Sequence, residues 1–235
     1  MRLRLRILQP CRAPLRTPQV DDLLAALEIA RTDPALTVRH ALISGGSPGR
    51  AHVDWYNDLC SQIIRSTELP VDVMFSPQHL GPATVDALVD AGVHGLSINM
   101  ELYDSSSSEL HIRTKHRFAR PHFEATVKRA VELLGRGGRV RSLLIPGLEP
   151  EDQTLAGVEY LASLGVDPVL SPFRPAEDIR LRDQPAASAA SLRRLVDNAR
   201  EIVQRHGVAL GPSCEACQHN TACLPWDSHT RPAAS

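Results

Sequence analysis

The chain has almost no net charge: 26 Lys and Arg stand against 27 Asp and Glu, a formal balance of −1 over 235 residues. Nothing in that balance draws it to nucleic acid or to an anionic membrane surface. It also lacks an apolar run long enough to cross a bilayer, and its first residues lack the apolar core of a secretory signal. A cytoplasmic protein is the expectation. Cysteines number only five, three of them crowded between Cys214 and Cys223, which does not suit a disulfide framework. There is no P-loop, no Gly-x-Ser-x-Gly elbow and no helix-spaced His-x3-His pair among the ten histidines. Walker-type nucleotide hydrolysis and serine-nucleophile chemistry are therefore unsupported. Internal repeats and long low-complexity tracts are missing as well.

Acidic residues are absent before Asp21, whereas Arg2, Arg4, Arg6, Arg12 and Arg16 crowd the same stretch and Leu3, Leu5 and Ile7 alternate with the first three. Residues 1–17 read either as a short edge strand with arginines in water or as an irregular basic segment. A mitochondrial address, Arg-rich and acid-poor, is a third possibility.

From Pro18 onward the patterning is regular. The apolar fraction of 43% and charged fraction of 23% are those of a globular domain able to bury one core. Leucines and alanines recur at helical spacing over 19–31. His40 to Ser44 then forms a mostly apolar run that stops at Gly45 and Gly46, the mark of a buried strand entering a loop that passes close to something, most simply a ligand. Helical segments at 54–66, 82–91, 121–134, 150–164 and 188–206 alternate with strand-like runs at 71–75, 94–100, 140–145 and 166–173. That alternation predicts a parallel α/β sheet or barrel with helices outside. About twenty polar residues between Glu101 and Pro121 read as one long loop on the active face, with a basic group of Arg113, Lys115, His116, Arg117 and Arg120. In such folds chemistry sits at the carboxyl ends of strands, where Gly45, Gly46, Ser47, Asn99, Glu101, Ile145 and Gly147 all fall.

Gly45-Gly46-Ser47-Pro48, Ser97-Ile98-Asn99-Met100-Glu101, Ile145-Pro146-Gly147-Leu148-Glu149 and Ser171-Pro172-Phe173-Arg174-Pro175 follow one another at successive strand ends. In that order and spacing the chain resembles the radical S-adenosylmethionine superfamily, nearest to its biotin-synthase-like branch, over roughly residues 19–225. The resemblance implies a parallel partial TIM-type (βα)6 barrel, S-adenosylmethionine as a ligand and a [4Fe–4S] cluster that cleaves it reductively. It implies that Gly45, Gly46 and Ser47 take the amino group, Asn99 and Glu101 the ribose, and Arg117, Lys115 or Arg120 the methionine carboxylate. Ile145 and Gly147 would line the adenine, with Leu143 in place of the first glycine of the family's Gly-x-Ile-x-Gly pattern.

One element departs from that pattern. The family's Cys-x3-Cys-x2-Cys loop, which holds the cluster, is not present: Cys11 is the only cysteine before Cys60, and Leu15 and Pro18 stand where its partners belong. Thiolates are the ligands such a cluster needs. The expectation is an N-terminally truncated or a cluster-deficient member, its first strand and cluster loop truncated or replaced. Three regions result: a basic segment over 1–17, the barrel over 18–206 and a Cys-rich tail over 207–235.

In that tail, Cys214-x2-Cys217-x5-Cys223 presents a two-thiolate knuckle with Cys223 or His219 as a third group. Zinc or an auxiliary Fe–S cluster, reduced thiols without metal, and a redox disulfide all remain open. Two other functions compete with the first: a non-catalytic barrel that binds zinc or a partner through this tail, and an unrelated barrel enzyme with Glu101 and a residue of the basic loop in acid-base chemistry. No nucleic acid or membrane partner is expected. Substrate and oligomeric state are not readable.

Overall fold

Five apolar runs form five strands, each paired in parallel with the next. The structure is a computed structural model that describes residues 19–35, 38–46, 48–112, 120–177, 179–212 and 221–222. Its strands are β1 (Ala41–Gly46), β2 (Val71–Phe75), β3 (Gly95–Ile98), β4 (Val140–Leu144) and β5 (Asp167–Leu170), in the spatial order β1-β2-β3-β4-β5. The helices are α1 (Val20–Thr32), α2 (Val53–Ser66), α3 (Pro82–Asp90), α4 (Ser105–His111), α5 (Arg120–Leu134), α6 (Glu151–Ser163) and α7 (Ala189–His206). Because each strand lies beside its predecessor, every crossover runs the same way. Right-handed crossovers then put the helices on one side of the sheet, as in a TIM-type barrel. Five parallel strands lie among the described residues, as a partial TIM-type barrel requires; the truncated or replaced first strand expected over residues 1–17 lies outside them.

The two faces of the sheet differ as this layout requires. Val71, Val73, Phe75, Leu96, Ile98, Val140 and Leu144 alternate onto the helix side and are buried in one core with Leu88, Val127, Leu161 and Leu195. The opposite, concave face carries Leu42, Asp72, Met74, Gly95, Ser97, Arg141, Leu143 and Asp167, by the register Leu42↔Asp72↔Gly95, Met74↔Ser97↔Arg141 and Arg141↔Asp167. On that face Asp72, Gly95, Ser97 and Asp167 are buried, Met74, Arg141 and Leu143 half-buried and Leu42 exposed, a mixed surface that suits the interior of an incomplete barrel.

Helix starts follow local chemistry. Pro82 occupies the first turn of α3 after Gly81, and Ser188 caps α7 by accepting from Ser191 N. The predicted twenty-residue loop is in part a helix. Asp104 accepts from Ser107 N at 2.7 Å and from its hydroxyl at 2.6 Å, which starts α4 in a stretch with no apolar periodicity to announce it. Cys60, read as core, is fully buried on α2; burial pushes its thiol up to about 11.

Candidate functional site

The predicted residues that the structure describes lie together at the carboxyl end of the sheet, joined tip to tip. Gly46 pairs with Phe75, whose carbonyl accepts from Asn99 N at 3.2 Å. Asn99 Oδ1 in turn accepts from Leu143 N at 3.2 Å and from Ser97 Oγ at 3.0 Å. Glu101 N donates to Leu143 O and Glu101 O accepts from Ile145 N, both at 2.8 Å, while Met100 N donates to the buried Ser142 hydroxyl. Past Ile98 the chain thus leaves the regular ladder but stays stitched to β4. Asn99 is partly a structural residue here: its side-chain oxygen takes a backbone N–H of β4.

Glu101 is the only non-glycine residue with positive φ among the described residues, at 72°. A side chain in the left-handed region costs about 1–2 kcal/mol, and no sequence signal announces it. Gly147, at φ 98°, needs to be glycine for that reason alone. Its carbonyl accepts from Gln184 Nε2.

Gly45 has a packing role that its sequence does not announce. It is the extra residue of a bulge, since Ser44 pairs with Met74 and Gly46 already with Phe75. What passes close to it is Tyr56: a Cβ at Gly45 would sit 2.1 Å from the ring's Cε2. Arg120, one of three candidates for the methionine carboxylate, has partners within the chain. It lies with its guanidinium 4.2 Å from the centre of the Tyr103 ring and 5.4 Å from that of Tyr160, and it donates to Tyr103 O at 2.6 Å. These contacts hold the side chain against the two rings. Ser47, Lys115, Arg117, Cys214, Cys217 and Cys223 lie outside the described residues.

A buried carboxylate missed by the sequence reading supports the same rim. Glu149 accepts from Tyr103 N at 2.9 Å and Asp104 N at 2.8 Å through one oxygen, and from the Thr154 hydroxyl at 3.2 Å through the other. It fixes the loop after β3 to the loop after β4. Burial raises its pKa, and the hydrogen bonds from Asp104, Thr154 and Tyr103 only partly oppose that. Folding therefore holds this proton to higher pH than the unfolded chain does. The group contributes its stability in full below the ordinary value of 4.5, and the contribution fades as pH rises through the raised folded value. Glu149→Gln has no such proton to lose. Its stability relative to the parent is expected to improve from the acid side of the carboxylate range towards neutrality, read by urea unfolding at each pH. A difference flat with pH would contradict the burial-driven shift.

No protein-family model matches the chain, and no curated protein matches it in sequence. Solved structures do. HydG, a maturase of the [FeFe]-hydrogenase, superposes with a TM-score of 0.64 at 17% identity, over 86% of this chain and 46% of that one. Methylornithine synthase (PylB) gives a TM-score of 0.58 at 13% identity, over 94% of this chain and 71% of that one. Coproporphyrinogen III oxidase (HemN) from Escherichia coli, a radical SAM enzyme, gives 0.54 at 16% identity over 80% of this chain. This chain spans 46% of the length of HydG and of HemN. At these identities the likeness is one of fold: the five parallel strands and their outer helices are arranged as in a radical S-adenosylmethionine enzyme.

Proposed function

We propose that this chain is a radical S-adenosylmethionine-type barrel that binds the sulfonium nucleoside across the carboxyl tips of β1, β3 and β4. The observation that carries the proposal is Glu101, an L-residue held at φ 72° in a seam of hydrogen bonds between two strand tips. That end of a parallel barrel is where ligands bind, and strain kept there points to use of the side chain. Glu101 and Asn99 would meet the ribose hydroxyls, Asn99 through its Nδ2 because its oxygen is already engaged. Gly45, Gly46 and Ser47 would receive the amino group, Arg117 the carboxylate, and Ile145 and Gly147 would bound the adenine.

A [4Fe–4S] cluster does not fit the described residues. Cys60 is the one cysteine among them, and it is fully buried against Tyr56 with its thiol held protonated. Zinc or an auxiliary cluster at Cys214, Cys217 and Cys223 has no support beyond their spacing. Recognition of the sulfonium nucleoside is what these residues support, and no reductive step is assigned to them. No helix among the described residues is long and apolar enough to cross a membrane.

Titration calorimetry with S-adenosylmethionine tests the proposal, in the parent and in Glu101→Gly. The glycine relieves the left-handed strain, so the variant is expected to gain up to about 1 kcal/mol of stability. It is also expected to bind the nucleoside about tenfold more weakly, the worth of one lost hydrogen bond. A parent that binds nothing at millimolar nucleoside, or a variant that binds as well as the parent, overturns it.

A further inference from the structure

We propose that His40, Asp72 and His94 form a zinc site at the amino end of the sheet, the end away from the nucleoside-binding tips. The topology brings them together from three segments. His40 immediately precedes β1, Asp72 is the second residue of β2, and His94 immediately precedes β3, so three adjacent parallel strands start around one point.

Geometry supports convergence on an ion. His94 Nδ1 is 2.9 Å from Asp72 Oδ1 and His40 Nε2 is 3.1 Å from Asp72 Oδ2. One ligand atom from each residue lies within 4.8 Å of the other two. The rings stand edge to face, 69° apart with centroids 6.2 Å apart, so both can turn a nitrogen to the same space without stacking. His40 Nε2 is buried and, although close to Asp72, makes no hydrogen bond. Room for the carboxylate comes from Gly95, where a Cβ would lie 2.7 Å from Asp72 Oδ1.

Two imidazoles and a carboxylate form the borderline nitrogen and oxygen set that zinc takes, with a fourth position left for water. The half-exposed His94 side chain provides the way in. Arg141 donates to Asp72 Oδ2 from Nη1 at 2.7 Å and Nη2 at 2.6 Å, which aims the carboxylate as an outer partner of a metal ligand does. Its positive charge also opposes a second cation, so affinity should be micromolar rather than tighter. Since the amino-end face of a barrel serves stability, the ion would act as a clasp on β1, β2 and β3.

The test is cobalt and zinc titration of the metal-stripped full chain, followed by the visible spectrum and by thermal unfolding. The expected result is one equivalent bound with nitrogen and oxygen d–d bands that lack thiolate charge transfer, which separates this site from the tail cysteines. Zinc should raise Tm by several degrees. His94→Gln can keep a hydrogen bond to Asp72 and is expected to fold like the parent, yet to weaken the ion by about tenfold or more and abolish the Tm rise. His40→Gln should do the same. A parent that takes up no nitrogen- and oxygen-bound ion at micromolar zinc, or an affinity unchanged in both variants, overturns the proposal and leaves an ion-pair cluster.

Discussion

Asp167→Ala is expected to destabilise the fold by about 3–4 kcal/mol, moving the urea midpoint down by about 1 M or more. Asp167 opens β5 and is fully buried. Its Oδ2 accepts from Gly138 N at 2.6 Å, in the turn that leads into β4, and its Oδ1 accepts from Ala209 N at 2.9 Å, just past α7. One carboxylate therefore closes two chain reversals that no regular ladder satisfies. Alanine leaves both buried N–H groups without an acceptor, and each costs about 1–3 kcal/mol. Asparagine is not a rescue. It presents one oxygen and one NH2 where two N–H groups point inward, so Asp167→Asn should still cost about 2 kcal/mol. An asparagine variant as stable as the parent would show that only one of the two bonds matters. Against a total stability of about 5–15 kcal/mol, the alanine loss is large enough to read without ambiguity.

Asp167 also marks where sequence reading stops. The order of strands and helices was legible because the apolar runs and amphipathic segments have different periods, and because Pro82, Gly92 and Ser188 punctuate them in the usual places. What escaped depends on contacts between distant segments. Nothing near residue 167 says that its carboxylate serves residues 138 and 209. Helix α4 escaped because Ser105 to Ser108 carry no apolar stripe and its start rests on the Asp104 cap.

The strand tips were legible as the shared end of the sheet, but the individual duties there were not. Asn99 spends its oxygen on β4, Arg120 is stacked on Tyr103, and Glu149, part of the Ile145 to Glu149 motif, braces the rim. Histidines 40 and 94 have no ligand spacing along the chain. Only the parallel register β1-β2-β3 sets them beside Asp72, and the one available hint was an aspartate inside the otherwise apolar run Val71 to Phe75.

Gly45→Ala is expected to cost about 2 kcal/mol, and much less when Tyr56 is replaced by leucine in the same chain. A methyl group in a strand ordinarily helps by about 0.5–1 kcal/mol, and Gly45 does not have the positive φ that would reverse this, so the sign of the change is set by the neighbour. That neighbour is the Tyr56 ring, 2% exposed, whose Cε2 would lie 2.1 Å and Cζ 3.0 Å from the new carbon. The ring cannot swing away freely: it is packed in the core against Cys60, and its hydroxyl reaches Met74 O at 3.4 Å. Over-packing of this kind costs about 1–3 kcal/mol. A double-mutant cycle with Tyr56→Leu should therefore show a coupling of about 1–2 kcal/mol. Nucleoside titration of the same four proteins separates the two duties of the glycine. If Gly45 serves only the packing of Tyr56, affinity recovers together with stability in the double variant. If the bulge backbone also meets the ligand, affinity stays low after stability has returned.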